Sequence, residues 1–431
     1  MADQSSAFAK LPEYIQGGLK KVASEQGFTD GLYRFEFEDG SNNGDGYMGE
    51  LFKVFIREAG RDELVVLCKT LPTHEIRKQY TISLFHREVK AYKEVLPMIS
   101  KFQQEKGIEE YNPEGFWNFP KSYYAYCDMQ KLEGLIIMED MRETHFQMWN
   151  KLEPVNYDHT HMLVKQLGKM HAISFALKDQ QPEAFEKFKH FSDPLSQLIT
   201  FDPTKGMTRM MNGTCERAIH ALDESDALCR TKMESVRGVV TDLYQEDAKV
   251  DEAEPYAVLG HGDCWINNML YSYGSDSITP KDIRLIDWQL CRYGSPVLDL
   301  MYFIFTSTDA ALRAEHYEEL LQTYYTSLVD YLNLLGGDAE RQFPESAFQK
   351  QLKRFGRFGL LISLLVLPII CTPNEEVPDI EKQMELAKKA QESGGENVDD
   401  KNLFSKTEAA DAMFRDRMRG LIQDVVRLGY L

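Results

Sequence analysis

This 431-residue chain has little that would carry it into a membrane or onto a polyanion. Its longest apolar run, Phe358 to Ile370, is shorter than the roughly 20 residues that span a bilayer. It also follows the basic pattern Lys353-Arg354-Phe355-Gly356-Arg357 and ends near Pro368, so a buried helix is expected there. Met1-Ala2-Asp3-Gln4-Ser5-Ser6 lacks the charged start and apolar stretch of a secretory signal. Basic residues are outnumbered, 49 Lys and Arg against 68 Asp and Glu, and the formal charge of −19 opposes nucleic acid and anionic membrane surfaces as partners. The seven cysteines are odd in number and lack paired spacing, which points to free thiols in a reducing, cytoplasmic compartment. No internal repeat is present. His159 and His161, two apart on a helical segment, face different directions and make a poor metal pair, so zinc is not expected.

A hydrophobic content of 43% is enough to bury a large core, and the length favours two lobes over one compact unit. The most informative stretch runs Val258-Leu259-Gly260-His261-Gly262-Asp263-Cys264-Trp265-Ile266-Asn267-Asn268, followed by Ile283-Arg284-Leu285-Ile286-Asp287-Trp288. Each acidic or amide residue comes just after a strand-like apolar run, so a rigid scaffold would present Asp263, Asn268 and Asp287 in one cleft. That layout suits phosphoryl transfer. Oxygen ligands such as Asn268 and Asp287 fit Mg²⁺, which neutralises phosphate oxygens, and Asp263 would orient the attacking hydroxyl and accept its proton. His261 is expected to brace the loop, and Cys264 to be a small packed side chain. The competing reading makes Asp263 and Asn268 turn formers and Asp287 a helix cap.

Upstream, Gly44-Asp45-Gly46-Tyr47-Met48-Gly49 precedes the strand-like Leu51 to Ile56, and Glu63 to Lys69 reads as another strand. Glycines Gly44, Gly46 and Gly49 between paired strands would let backbone N–H groups approach phosphate oxygens. A dinucleotide fingerprint would instead open a helix. Lys69 ends its strand where a cation could reach the α- and β-phosphates. Glu88, beside the apolar face of Phe85, Val89 and Tyr92, could pin it by ion pairing, although both could equally be solvated charges. Tyr123 to Tyr126 reads as a strand, and Leu135 to Met141 turns abruptly from apolar to acidic, as a connector between lobes would. Adenine could bond to backbone groups around Glu139 and Met141.

The order glycine-rich loop, Lys69, Glu88, Met138-Glu139-Asp140, the His261 to Asn268 stretch and Ile286-Asp287-Trp288-Gln289 resembles the ecdysteroid kinase-like (CHK kinase-like) family. That family is similar to aminoglycoside phosphotransferases and choline kinases. The resemblance covers roughly residues 30 to 370 and implies an α+β, two-lobed protein-kinase-like fold, with a β-rich lobe over 1–141 and a mainly helical lobe over 142–431. It further implies ATP- and Mg²⁺-dependent phosphorylation of a hydroxyl on a small molecule, an ecdysteroid or a xenobiotic alcohol or phenol. By position Asp263 becomes the base, Asn268 and Asp287 the metal ligands, Lys69 the phosphate contact and Glu88 its partner. A monomer is the default state. A nucleotide-binding pseudokinase scaffold and a protein kinase are the alternatives. Two departures stand out from protein kinases. Gly262 replaces the arginine that reads a phosphorylated activation loop, and Trp288-Gln289 replaces Phe-Gly, removing a flexible switch.

Beyond the motifs, Leu163, Leu167, Met170, Ile173 and Leu177 form one apolar stripe on a helix ending near Lys178, with His171 as a core or loop-supporting histidine. Gly294 to Leu300 has Pro296 near a helix start, and Asp299 could bond backbone amides of the 261–268 loop. Thr372 to Ala410 has the composition of a mobile surface insertion, with helix expected at Ile380 to Lys389, and Ala409 to Leu428 has the spacing of a final packed helix.

Overall fold

The computed structural model describes residues 8–39, 49–110, 112–201, 205–376 and 407–431. Gly44, Gly46, most of the expected insertion and the helix expected at 380–389 lie outside the described residues.

The chain enters through helix α1 (Glu13–Glu25), then builds five antiparallel strands: β1 (Tyr33–Asp39), β2 (Glu50–Glu58), β3 (Leu64–Thr70), β4 (Ser122–Asp128) and β5 (Glu133–Glu139). Their spatial order is β1-β2-β3-β5-β4. Because side chains alternate along a strand, Val66 and Cys68 of β3 point to one face, where Ile15, Leu19 and Val22 of α1 cover them together with Val54 and Ile56. Lys69 therefore points to the other face. Between β3 and β4 run α2 (Glu75–Lys90), a single π-helical turn at Ala91–Val95 and α3 (Leu96–Glu105). Phe85, Val89 and Tyr92 enter the large core with Ile136 and Met138, which sets α2 against the Lys69 face of the sheet.

Past β5 the chain becomes mainly helical. Its central helix α4 (Tyr157–Gln180) runs two residues beyond the expected Lys178 end and packs along α6 (Ala310–Leu334), with α5 (Val297–Ser307) wholly buried beside them. Gly168 permits the close approach of α4 to α6, since a Cβ there would lie 2.6 Å from the Tyr324 carbonyl oxygen. The apolar run is helix α7 (Phe358–Ile370), packed on α5, and it continues through Pro368 to Ile370. A proline so near a helix end removes few hydrogen bonds, which is why the helix persists past it. The last helix is α8 (Glu408–Arg427). Among the described residues no helix is long and apolar enough to cross a membrane. All seven cysteines are free.

Two small sheets interrupt the helices. One pairs β7 (Val258–Gly260) with β10 (Arg292–Gly294); the other is β6 (Gln147–Met148), β8 (Met269–Tyr273) and β9 (Pro280–Leu285), in the order β6-β8-β9. Between them they hold both ends of the 261–268 loop and the segment 286–291. The layout is α+β, with a β-rich first part and a mainly helical second part.

Candidate active site

The two acidic turns are stitched together by backbone. Ile286 N–H donates to the Asn268 carbonyl at 3.0 Å, and His261 Nε2 lies 3.0 Å from the Ile286 carbonyl. That carbonyl can only accept, so Nε2 carries the proton and Nδ1 accepts from Asp263 N–H at 3.2 Å. Burial lowers the His261 pKa, which fits a neutral imidazole used as a brace. Its ring also packs on Trp288, 4.6 Å between centroids. Gly262 has φ +83° and a Cβ there would meet the Leu290 carbonyl at 1.9 Å, so no arginine or other side chain fits this position.

Asp299 closes the loop from below. Its carboxylate accepts from the N–H groups of His261 at 2.7 Å and Gly262 at 2.9 Å, and His171, itself 2.7 Å from the Tyr324 hydroxyl, lies 3.4 Å away. Burial pushes Asp299 upward, but the hydrogen bond from His171 and nearby positive charge, that of Arg292 included, outweigh it and hold the carboxyl down at about 2. The backbone-bonding task expected of Asp299 and the loop-supporting task expected of His171 are both realised.

Lys69 Nζ donates to Glu88 Oε2 at 2.8 Å and to Asp287 Oδ1 at 2.9 Å. Burial alone would lower the lysine pKa; Asp287 and Glu88 reverse this and keep the ammonium charged. Glu88 is displaced upward by burial, with Lys69 pulling it back and Asp287 adding to the rise. Gln289 Nε2 bridges Asp287 Oδ2 at 3.3 Å and Asp263 Oδ2 at 3.4 Å. Asp263 Oδ1 accepts from the Tyr302 hydroxyl at 2.9 Å. Burial and the charge of Asp287 push Asp263 up to about 6, against the pull of Tyr302, Gln289 and Asn268. The upward shift makes it a stronger base than an ordinary aspartate.

Five of the residues singled out from sequence therefore meet: Lys69, Glu88, Asp263, Asn268 and Asp287. Glu139 ends β5 and pairs with β3, but its N–H is spent on the Lys121 carbonyl at 2.9 Å, so any bond from Glu139 backbone to a nucleotide base has to come from its carbonyl. Met141 is buried in the turn that follows, where Asp140 caps the backbone and Lys53 of β2 pairs with Glu143. Gly49 opens β2, and a Cβ there would lie 2.7 Å from the Thr70 carbonyl oxygen, a close approach that requires glycine. Tyr302 and Gln289 were not picked out from sequence. Tyr302 sits in the apolar run Met301 to Phe305, which gives no local sign of which member carries a polar contact.

The donor set suits a hard dication. Three carboxylates, Glu88, Asp263 and Asp287, face one ammonium, leaving negative charge in excess. Asn268 Nδ2 donates to the Asp263 carbonyl at 3.0 Å, which turns its amide oxygen the other way. Asp287 has φ +63°, a left-handed conformation that costs a non-glycine residue energy. Among the described residues no three His, Cys, Asp or Glu side chains form a metal cage. Mg²⁺ does not need one, because it is held by one or two side chains plus phosphate oxygens and water.

Comparison with known proteins adds three findings. A stretch of 85 residues, 20% of this chain, is 34% identical to the 4-hydroxytryptamine kinase of Psilocybe cyanescens, and the chain spans about a fifth (21%) of that relative's length. The structure of the GDP complex of wild-type aminoglycoside 2'-phosphotransferase-IIIa aligns over 87% of this chain and 98% of its own, at 13% identity and a TM-score of 0.37. The sequence profile of the ecdysteroid kinase-like family matches residues 43–337, more than half of the chain. On that match this protein belongs to the ecdysteroid kinase-like family.

Proposed function

We propose that this protein transfers the γ-phosphoryl group of ATP to a hydroxyl of a small organic molecule, within a nucleotide cleft between residues 1–141 and 142–431. The observation that carries the reading is the shared contact network: Lys69 lies between Glu88 and Asp287, and Asp287 shares Gln289 with Asp263. Lys69, oriented by Glu88, contacts the α- and β-phosphates. Backbone groups around Glu139 and Met141 receive the adenine. Asn268 and Asp287 would hold Mg²⁺, which would neutralise charge on the phosphate oxygens. The acceptor's oxygen forms a bond to the γ-phosphorus as the bond from that phosphorus to the β,γ-bridging oxygen breaks. The hydroxyl proton passes to Asp263, and the products are a phosphate monoester and ADP.

The acceptor class is an alcohol or phenol, such as an ecdysteroid or a xenobiotic. Two names support a hydroxyl acceptor: that of the family, and that of 4-hydroxytryptamine kinase, whose named substrate bears a phenolic hydroxyl. The test is an acceptor screen with ATP and Mg²⁺, read by mass spectrometry for an added phosphate, run on the wild type and on Asp263→Asn. Turnover is expected from the wild type, absent on chelation with EDTA and reduced about a hundredfold to ten-thousandfold, to a residual measurable rate, in the variant. Full turnover in Asp263→Asn would overturn the base assignment, and nucleotide binding without transfer to any acceptor would revive the scaffold reading.

A further inference from the structure

One helix face grips the catalytic loop twice. Asp299, near the start of α5, takes the N–H groups of His261 and Gly262, and Tyr302, three residues on, reaches the side chain of Asp263 with its hydroxyl. At 2% exposure the Tyr302 ring is locked by packing, and α5 around it is wholly buried, so the hydroxyl has one address. The opposite side of the carboxylate is held far less tightly. Gln289 stands at 3.4 Å from Oδ2, beyond the usual range for a strong bond, and divides its amino group between two aspartates.

We infer that Tyr302 is a positioning residue, whose hydroxyl anchors Asp263 Oδ1 on the buried side so that Oδ2 is the oxygen presented to the acceptor's hydroxyl. The inference rests on Asp263 being the base. An aspartate has two rotatable side-chain bonds, and a carboxylate tethered only by a weak contact samples orientations in which neither oxygen meets the incoming proton. A phenol fixed in a helix removes that freedom before the acceptor arrives. Displacing a reacting group by about 1 Å can cost on the order of a hundredfold in rate, so the tether is worth a measurable share of kcat. Packing by the ring and anchoring by the hydroxyl are separable, because phenylalanine keeps the first and loses the second.

The experiment compares the wild type, Tyr302→Phe, Asp263→Asn and the double variant, with the best acceptor from the screen, and nucleotide binding by calorimetry as the check on folding. Tyr302→Phe is expected to lower kcat about tenfold to a hundredfold while KM for ATP and nucleotide affinity stay within about twofold. In the Asp263→Asn background the same change is expected to remove nothing further, since the oxygen it positions no longer acts as a base. A structural role would lower both backgrounds alike. A kcat within about twofold of the wild type, or an equal loss in both backgrounds, overturns the inference. The two readings fail separately: full turnover in Asp263→Asn sinks the base assignment, whereas its loss alongside an unaffected Tyr302→Phe sinks only the tether. A Tyr302→Phe protein that no longer binds nucleotide shows Tyr302 to be structural and also overturns the inference.

Discussion

Replacing Lys69 with methionine removes the only ammonium bonded to Glu88 and Asp287 among the described residues, at 2.8 and 2.9 Å, while keeping most of its apolar stem. Glu88, 1% exposed, then has no cation beside it and escapes by binding a proton. Its ordinary value is 4.5. Holding a carboxyl neutral at pH 7 against that value costs about 3 kcal/mol, at roughly 1.4 kcal/mol per pH unit. The wild type already bears most of this cost, because burial holds Glu88 up at about 7 even with Lys69 present. The difference between the two proteins should therefore be under about 1 kcal/mol at pH 7, close to zero near pH 5.5, and should grow to about 1–2 kcal/mol near pH 8.5. The sign follows from the direction of the shift. A carboxyl raised on folding contributes stability that is complete below its unfolded value and is lost as pH rises through its folded value, and Lys69→Met moves that folded value higher still. Urea unfolding of both proteins at several pH values, compared by midpoint at equal slope, measures the difference. Equal stability at pH 8 and above, or a deficit that widens toward acid, would refute the account of Lys69 as counter-charge to a buried carboxyl.

Asp299→Asn removes one of the two acceptors that hold the His261 and Gly262 N–H groups; it should cost about 2 kcal/mol at neutral pH and lower turnover. Because Asp299 is held down at about 2, the stability it contributes is present above its ordinary 3.8 and is lost as pH falls through about 2, so the gap between variant and wild type should narrow in acid unfolding curves. Gly168→Ala places a methyl 2.6 Å from the Tyr324 carbonyl and should cost about 1–3 kcal/mol by forcing α4 and α6 apart, with unchanged stability in denaturant refuting the close-approach argument.

Local chemistry made several elements legible in advance. The apolar runs Leu51 to Ile56 and Leu64 to Cys68 became β2 and β3, and Leu135 to Glu139 became β5, because a short apolar run bounded by polar residues is written residue by residue. The run Phe358 to Ile370 became a helix with the anticipated bounds. Asp299 was legible as a loop anchor from its place after Pro296 in a helix start. Tyr302 was not, because an apolar run Met301 to Phe305 hides which of its members carries a polar contact until the helix is rotated against the loop. Gln289 was noted as a departure from a flexible glycine, but its bridge between two aspartates depends on a turn whose φ at Asp287 is positive.

The order of elements, the strand ends that carry Lys69 and Asp287, and the residue types able to move a phosphoryl group were set by the amino-acid sequence itself, since each depends on neighbours a few positions away. The bond between Lys69 and Asp287, 218 residues apart, was decided by tertiary structure, as were the choice of Gly262 beneath Leu290 and the tether from Tyr302 to Asp263. Those contacts exist because buried helices and a five-stranded sheet pack in one arrangement, and pairings across such distances follow from how the core closes and not from any local period.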